Sequence, residues 1–242
     1  MSEAVPIINL EGITFSYPGG DTILSDLNFK FYSGERLGLV APNGSGKTTL
    51  FHLIMGLVKP TAGQIELFGS RVSTEKDYTE VRHRIGFLFQ DADDQLFSPT
   101  VQEDVAFGPL NMGKSEKEAL EITKRTLNYL GLQGFEHRIT FKLSAGEKRL
   151  VALATVLAME PEILLLDEPT SGLDQETKSR LEKILKELNM SFILISHDFD
   201  FLSETTDRIY TMENGKIVID ADLHFHIHKH LHPHGKVPHQ HT

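Results

Sequence analysis

One feature of the sequence restricts the possible folds most: a glycine-rich loop between an apolar strand and a helix. Residues 41–48 read Ala-Pro-Asn-Gly-Ser-Gly-Lys-Thr and follow the short apolar run at 37–40. Small residues let successive backbone N–H groups curl around phosphate oxygens, and the start of the next helix adds positive potential. Lys47 would reach the β- and γ-phosphates, and the Thr48 hydroxyl would coordinate Mg²⁺. Ala41 stands where the strict pattern has glycine, a change that a negative φ would tolerate.

A second buried run ends in two carboxylates. Residues 163–166 are Ile-Leu-Leu-Leu, and Asp167 and Glu168 follow them. A carboxylate at the carboxyl edge of a strand suits a Mg²⁺ site, and its neighbour suits a base that orients water. The simpler interpretation is a pair of solvated acids, and a glycine-rich turn can also bind nothing. Together, the two motifs favour nucleotide chemistry.

The rest of the chain mixes strand and helix patterns. Period-two apolar spacing from Ile8 to Tyr17 and from Leu27 to Phe31 predicts an antiparallel meander. Apolar runs at 163–166 and 192–195, with a helical pattern at 175–188 between them, predict a parallel βαβ unit.

Further elements follow from caps and turn signals. The pattern predicts helices at 48–57, 115–131 and 147–159, a strand at 64–68, and a hairpin whose Asn214-Gly215 turn joins strands at 209–212 and 217–219. From about Thr79 to Met159 the character is helical.

Composition narrows the classes of function. The 24 Lys and Arg against 34 Asp and Glu give a formal net charge of −10, which would repel the phosphates of nucleic acid. The chain has no cysteine, so disulfides, thiolate metal sites and cysteine nucleophiles are excluded. The first residues show no signal peptide, and the most apolar helical stretch, 150–159, has about half the length that spans a bilayer. We therefore expect a cytoplasmic chain, or one bound to a membrane through partners.

The motifs, taken in order, resemble those of the nucleotide-binding subunit of ABC transporters. They are the phosphate loop, Gln90, Leu-Ser-Ala-Gly-Glu at 143–147, Asp-Glu-Pro-Thr at 167–170, Ser-Gly-Leu-Asp at 171–174, and His197. The match runs from about Ile8 to Asp220. It implies an α/β fold: a P-loop ABC ATPase core with a mostly parallel sheet and helices, an antiparallel β subdomain and an inserted helical subdomain at about 90–160. Residues 1–222 would form the ATPase domain, and 223–242 a flexible tail.

The resemblance also implies ATP and Mg²⁺ as cofactors. Tyr17 corresponds to the aromatic residue that stacks on adenine. The residues implied to bind the nucleotide in the phosphate loop are Ala41, Pro42, Asn43, Gly44, Ser45, Gly46, Lys47, Thr48 and Thr49. Thr48, Gln90 and Asp167 would bind Mg²⁺, and Gln90 would also contact the attacking water.

Two catalytic residues and a second binding motif are implied in the same way. Glu168 corresponds to the base, and His197 to the histidine that holds the γ-phosphate. Ser144, Gly146 and Glu147 resemble the family's signature, which contacts the γ-phosphate of ATP held by the other subunit. Ala145 and Glu147 replace the commoner glycine and glutamine. Two ATP molecules would close a head-to-tail dimer with a second copy or a paralogous ATPase.

The segment after Gln90 is more particular. Residues 89–109 resemble the ATPase subunits of energy-coupling-factor importers, especially the cobalt/nickel type, and residues 150–161 support this. In that family the segment docks on a transmembrane coupling protein that works with a substrate-binding membrane subunit. The resemblance therefore implies a peripheral protein on the cytoplasmic side of the cell membrane. An ordinary polar loop and helix start is the alternative interpretation.

The end of the chain is rich in histidine. Eight of the 12 histidines lie between His224 and His241. Imidazole is a good ligand for Ni²⁺ and Co²⁺, and a flexible chain can gather several. The candidate ligands are His224, His226, His228, His230, His232 and His234. An expression tag or a neutral linker would explain the same composition, although the histidines are not consecutive.

Four alternative functions share some of these motifs. A vitamin-importing ATPase of the same superfamily would carry the same motifs. A non-transport ATPase of chromosome maintenance or DNA repair would need a long coiled coil between the loop and the signature, but Lys47 and Leu143 are only 96 positions apart (143 − 47) and no heptads lie between them. A translation factor would carry two such heads in one chain, and a module without turnover would not need Glu168 and His197.

Overall fold

Two β-sheets organise residues 5–218, the part of the chain described by this computed structural model. The strands are β1 (Ile8–Ser16), β2 (Thr22–Phe31), β3 (Arg36–Val40), β4 (Ala62–Leu67), β5 (Ser70–Val72), β6 (Ile85–Leu88), β7 (Ile163–Asp167), β8 (Ser191–Ile195), β9 (Arg208–Glu213) and β10 (Lys216–Val218). The helices are α1 (Lys47–Ile54), α2 (Glu75–Arg82), α3 (Val101–Asn111), α4 (Glu116–Tyr129), α5 (Ala145–Leu157), α6 (Gln175–Glu187) and α7 (Phe199–Thr205). Single 3₁₀ turns lie at Ala92–Asp94 and Thr140–Lys142.

The larger sheet has the order β10-β9-β3-β8-β7-β6 and is parallel except for β10. Strands β7 and β8 pair in parallel with α6 between them in sequence, which confirms the predicted βαβ unit. The predicted hairpin between β9 and β10 is also present. Asn214 and Gly215 have φ values of 48° and 71°, and a two-residue turn with two left-handed positions matches the twist of the flanking strands.

The smaller sheet is antiparallel, with the order β2-β1-β4-β5. It contains the predicted meander, because the alternating apolar residues of β1 and β2 turn the same face inward. The buried members in β2 are Leu24, Leu27, Phe29 and Phe31. The fold is therefore α/β with a mostly parallel sheet and an antiparallel sheet, as the sequence predicts.

Some predicted boundaries are wrong. Helix α1 ends at Ile54 rather than at 57, and α5 begins at Ala145 rather than at 147. Residues 85–88 lie in the stretch predicted to be helical, but they form the edge strand β6 beside β7. The four-residue apolar run is too short to build a helix, and pairing with β7 satisfies its backbone.

Strand β7 lies between two hydrophobic cores. Ile163 and Leu165 face the core shared with α1 and the antiparallel sheet, whereas Leu164 and Leu166 face the core shared with α5 and α6. Because side chains alternate along a strand, the next residue, Asp167, points to the same side as α1. The packing of β7 thus decides where its terminal carboxylate lies.

Helices α3, α4 and α5 pack on one another between β6 and β7 in the chain order. Val101 and Val105 of α3, Leu127 of α4 and Leu150 of α5 are buried in the core beneath the sheet. In the stretch 5–218, no helix has both the length and the apolar character needed to cross a bilayer.

Close packing of α5 on β6 depends on Gly86. A Cβ at this position would lie 2.3 Å from a Val156 methyl carbon and 2.7 Å from a Leu164 methyl carbon. We expect Gly86→Ala to lower the free energy of unfolding by about 1–3 kcal/mol through overpacking, measured by urea denaturation. Gly20→Ala is the control, because its Cβ would lie 3.6 Å from the nearest atom. Equal midpoints for the two variants would contradict the packing argument.

Candidate functional site

The glycine-rich loop is held in a conformation that only glycine adopts easily. Gly44 and Gly46 have φ values of 78° and 95°, and Gly46 caps α1. A Cβ on Gly46 would also lie 2.8 Å from side-chain carbons of Ile23 and Leu24, so the β1–β2 hairpin packs tightly on the loop. Ala41 is not among the residues with positive φ, which is why alanine is tolerated there.

Lys47 is the centre of the site. Its side chain is only 8% exposed, and Nζ donates a 2.8 Å hydrogen bond to the Ala41 carbonyl. Nζ also lies 3.4 Å from Glu168 Oε1 and 2.7 Å from His197 Nε2. The Lys47 side chain thus has three polar neighbours, which hold its Nζ at the mouth of the loop.

Thr48 and Asp167 form a second pair. Thr48 Oγ1 donates to Asp167 Oδ2 over 2.8 Å, as the alternation along β7 requires. Asp167 is 1% exposed, and its other oxygen, Oδ1, is buried with no hydrogen-bond partner among the described residues. Burial raises the pKa of Asp167, and the Thr48 bond opposes this. A hydroxyl beside an unpaired carboxylate oxygen is a donor set that suits a hard divalent cation such as Mg²⁺.

Glu168 and His197 meet at the carboxyl edge of the sheet, after β7 and β8. Glu168 Oε1 lies 3.1 Å from His197 Nε2, and the backbone N–H of His197 donates to Glu168 Oε2 over 3.3 Å. His197 Nε2 also lies 3.0 Å from Asn43 Oδ1 of the loop. Glu168 has a φ of 45°, a left-handed conformation that is rare for a non-glycine residue and typical of strained functional positions.

An open cleft of about 620 Å³ lies beside this cluster. Thr48, Asp167 and the segment 89–94, which includes the predicted Gln90, all line the cleft. Ala145 contributes from the start of α5. The cleft thus brings together the three residues predicted to bind Mg²⁺ and Ala145, which lies within the signature motif.

The signature residues are arranged around the start of α5. Ser144 caps the helix by accepting the Glu147 N–H, and the Glu147 carboxylate reaches back to the Ser144 N–H over 2.8 Å. Gly146 is required by packing, since a Cβ would lie 2.7 Å from Thr177 Oγ1. Ser144 and Ala145 are exposed, so a molecule outside this chain can reach the start of α5.

The other predicted residues lie further out. Tyr17 is 41% exposed at the end of β1, with its ring edge-on to Phe15 at 4.8 Å. Thr49 is buried within α1. The six histidines predicted to bind nickel or cobalt lie outside the described residues.

Sequence patterns missed Arg149, which joins the signature helix to the segment carrying Gln90. The Arg149 guanidinium is buried and donates to the Phe89 carbonyl over 2.6 Å and to the Gln90 carbonyl. Gln95 adds a second link, because it accepts from the Phe89 N–H and donates to the Ala152 carbonyl. Burial lowers the pKa of Arg149 from its usual value. The available signal was a charged residue on the inward face of an otherwise apolar helix.

The fold and the site together define a class of protein. A phosphate loop follows the central strand β3, its lysine is buried, and a carboxylate at the end of β7 faces the loop threonine. A second carboxylate, that of Glu168, and the His197 ring both lie within hydrogen-bond distance of Lys47 Nζ. These are the parts of a P-loop nucleoside-triphosphate hydrolase.

Comparison with known proteins narrows the class. Residues 24–171 match the family described as ABC transporter. The energy-coupling factor transporter ATP-binding protein EcfA of Methanothermobacter thermautotrophicus is 44% identical over 89% of this chain and 70% of its own length.

Two solved structures of ABC ATPases are also similar to this chain. The structure of cbiO1 from Clostridium perfringens, part of the ABC transporter complex cbiONQ, has a TM-score of 0.79 and 36% identity over 88% of this chain and 87% of its own. A dimeric ATP-binding cassette in a post-hydrolysis state, bound to ADP and Pi, has a TM-score of 0.79 and 28% identity over 87% of this chain and 96% of its own. The chain therefore belongs to the ABC transporter ATPases, in the energy-coupling-factor group, and it is an ATP-binding, ATP-hydrolysing enzyme.

Arg149 offers a test of how the site is held. We expect Arg149→Met to speed amide hydrogen exchange at residues 89–95 by at least about tenfold, because hydrogen bonds from a charged donor are worth roughly 1.5–3 kcal/mol each. Arg180→Met is the matched control, since Arg180 donates to the Leu130 and Gly131 carbonyls instead. It should loosen residues 130–134 only. Unchanged exchange at 89–95 in Arg149→Met would show that Arg149 does not hold this segment.

Proposed function

We propose that this ATPase powers the import of a transition-metal ion, nickel or cobalt, through a membrane energy-coupling-factor transporter. The proposed substrate rests on one observation: the sequence of segment 89–109 resembles that of the cobalt/nickel ATPases. The likeness to cbiO1 of the cbiONQ complex supports it, and so do the histidines of the tail. A vitamin importer of the same group is the second candidate.

The proposed nucleotide site uses the groups around Lys47. The phosphates of ATP would lie along residues 41–49, where Lys47 neutralises the β- and γ-phosphate charge and His197 contacts the γ-phosphate. Tyr17 would stack on adenine. Thr48, Asp167 and Gln90 would hold Mg²⁺, which supplies further neutralisation of phosphate charge when bound.

Glu168 is the proposed base. Its carboxylate is buried against Lys47 and His197, and it lies at the carboxyl edge of the sheet, the edge that the loop also follows. A carboxylate there can accept a proton from a water molecule aligned with the γ-phosphate. Lys47 would exchange Glu168 for phosphate oxygens when ATP binds, which frees the carboxylate for this role.

A second ATPase subunit would complete the site. Ser144 and Ala145 are exposed at the start of α5, where free backbone N–H groups favour an anion. In a head-to-tail dimer these groups would contact the γ-phosphate of ATP held by the other subunit. The dimeric ABC cassette among the similar structures supports this arrangement.

Membrane partners would dock beside the cleft. Phe97 is 67% exposed, and its ring lies edge-on to that of Phe107 at 4.8 Å. Asp104 holds this loop by accepting the N–H groups of Phe97 and Ser98. An exposed aromatic pair on an ordered loop suits the helices of a transmembrane coupling protein. The ATPase would then be peripheral, on the cytoplasmic side of the cell membrane, with a substrate-binding membrane subunit in the same complex.

Replacing the base separates binding from turnover. We expect Glu168→Gln to keep ATP binding, to lower turnover at least about a hundredfold, and to trap an ATP-bound dimer visible by size-exclusion chromatography. Glu162→Gln is the control, because Glu162 flanks the opposite end of β7 and pairs with the exposed Arg84. Undiminished hydrolysis in Glu168→Gln would disprove the assignment of the base.

The substrate is tested by uptake. Cells would express this chain with the membrane subunits encoded beside it, and uptake of labelled nickel and cobalt would be compared with that of a Glu168→Gln strain. We expect ATP-dependent uptake of one ion that is lost in the variant. An assembled complex that hydrolyses ATP but takes up neither ion would refute metal import and favour a vitamin.

A further inference from the structure

An acidic side chain, Glu147, lies in the first turn of α5 beside the helix start that is proposed to meet ATP. Glu147 lies one turn into α5, close to the exposed Ser144 and Ala145. If those groups face ATP on another subunit, as proposed above, a free carboxylate beside them would repel the triphosphate. The chain therefore needs a means of neutralising Glu147.

Arg138 supplies that charge. Its guanidinium nitrogens lie 2.6 Å from Glu147 Oε1 and 3.4 Å from Oε2, so both carboxylate oxygens face the same cation. The Ser144 N–H occupies Oε2 as well, over 2.8 Å. The Ser144 bond and the Arg138 pair also keep the pKa of Glu147 below its usual value, so the side chain stays ionised and dependent on its partner.

The position of Arg138 is fixed by its surroundings. Its guanidinium carbon lies 4.1 Å from the centre of the Phe135 ring, a cation–π contact that orients the planar group. Its carbonyl accepts the N–H of Val101 at the start of α3. The side chain thus reaches Glu147 from an anchored backbone, at a lower entropic cost than a freely rotating arginine would pay.

We propose that Arg138 is a positioning residue of the ATP site: it holds Glu147 in the helix cap and cancels its charge, so that the signature accepts the triphosphate bound by the opposing subunit. This inference rests on the head-to-tail arrangement proposed above. The alternative is an ordinary surface ion pair, which would contribute little to stability and nothing specific to ATP.

A charge-removal cycle distinguishes the two. The variants are Arg138→Gln, Glu147→Gln and the double variant, and glutamine at 147 can still form the capping box. Arg125→Gln is the matched control, because Arg125 forms an exposed pair with Glu160 elsewhere on the helical segment. Each variant is assayed for kcat and KM of ATP hydrolysis at low and high salt, and for ATP-driven dimerisation in the Glu168→Gln background.

We expect Arg138→Gln to lower kcat/KM for ATP about tenfold, mainly through KM, because it leaves a carboxylate facing phosphate. High salt should shrink the loss by screening that repulsion. Adding Glu147→Gln to Arg138→Gln should recover most of the lost activity and dimerisation, whereas Arg125→Gln should match wild type.

Three results would overturn the inference: wild-type kinetics in Arg138→Gln, a loss that persists in the double variant, or a loss independent of salt. Failure of the underlying function has a different signature. If the wild-type chain does not hydrolyse ATP and the Glu168→Gln chain does not dimerise with ATP, the head-to-tail site is overturned and the inference with it. Dimerisation that is intact in both Glu168→Gln and Arg138→Gln/Glu168→Gln would overturn the inference alone.

Discussion

The burial of β7 on both faces fixes the geometry of the whole site. Four consecutive aliphatic residues alternate between two cores, so a slip by one position would move every side chain into the opposite core and turn Asp167 away from α1. That register directs Asp167 towards Thr48 and leaves Glu168 at the edge, in a left-handed conformation, beside His197. The chemistry at the end of the strand is therefore positioned by apolar packing along its length.

Around Lys47, the same edge carries a balance of charge that ATP would have to rearrange. One buried cation faces Glu168 and His197, while Asp167 is half-satisfied by Thr48. Such a cluster is stable only because each charge has a polar neighbour, and phosphate oxygens offer the lysine a stronger partner. In the proposed mechanism, nucleotide binding would therefore release the proposed base, because Lys47 would exchange Glu168 for phosphate oxygens.

The sequence predicted the parts of the molecule that depend on local pattern. The loop at 41–48, the acids after β7 and the hairpin at Asn214-Gly215 all carry residue types that their backbone or chemistry demands. Strand β6 was missed because its pairing with β7 comes from a partner about 80 positions away, and short apolar runs have no period of their own. The links of Arg149 and Arg138 are likewise tertiary: helical periodicity places Arg149 on a face, but it cannot name the carbonyls that face it.

Four hydrogen bonds join the segment at the start of α3, residues 98–102, to the segment before α5, residues 136–140. The N–H groups of Val101 and Gln102 bond to carbonyls at 138 and 136, and Thr140 bonds through its N–H and hydroxyl to the carbonyls of Pro99 and Ser98. A displacement of residues 98–102 would therefore be passed to residues 136–140, which lead into Ser144. If the aromatic pair meets a membrane partner and the start of α5 meets phosphate, as proposed, these hydrogen bonds would couple the two contacts.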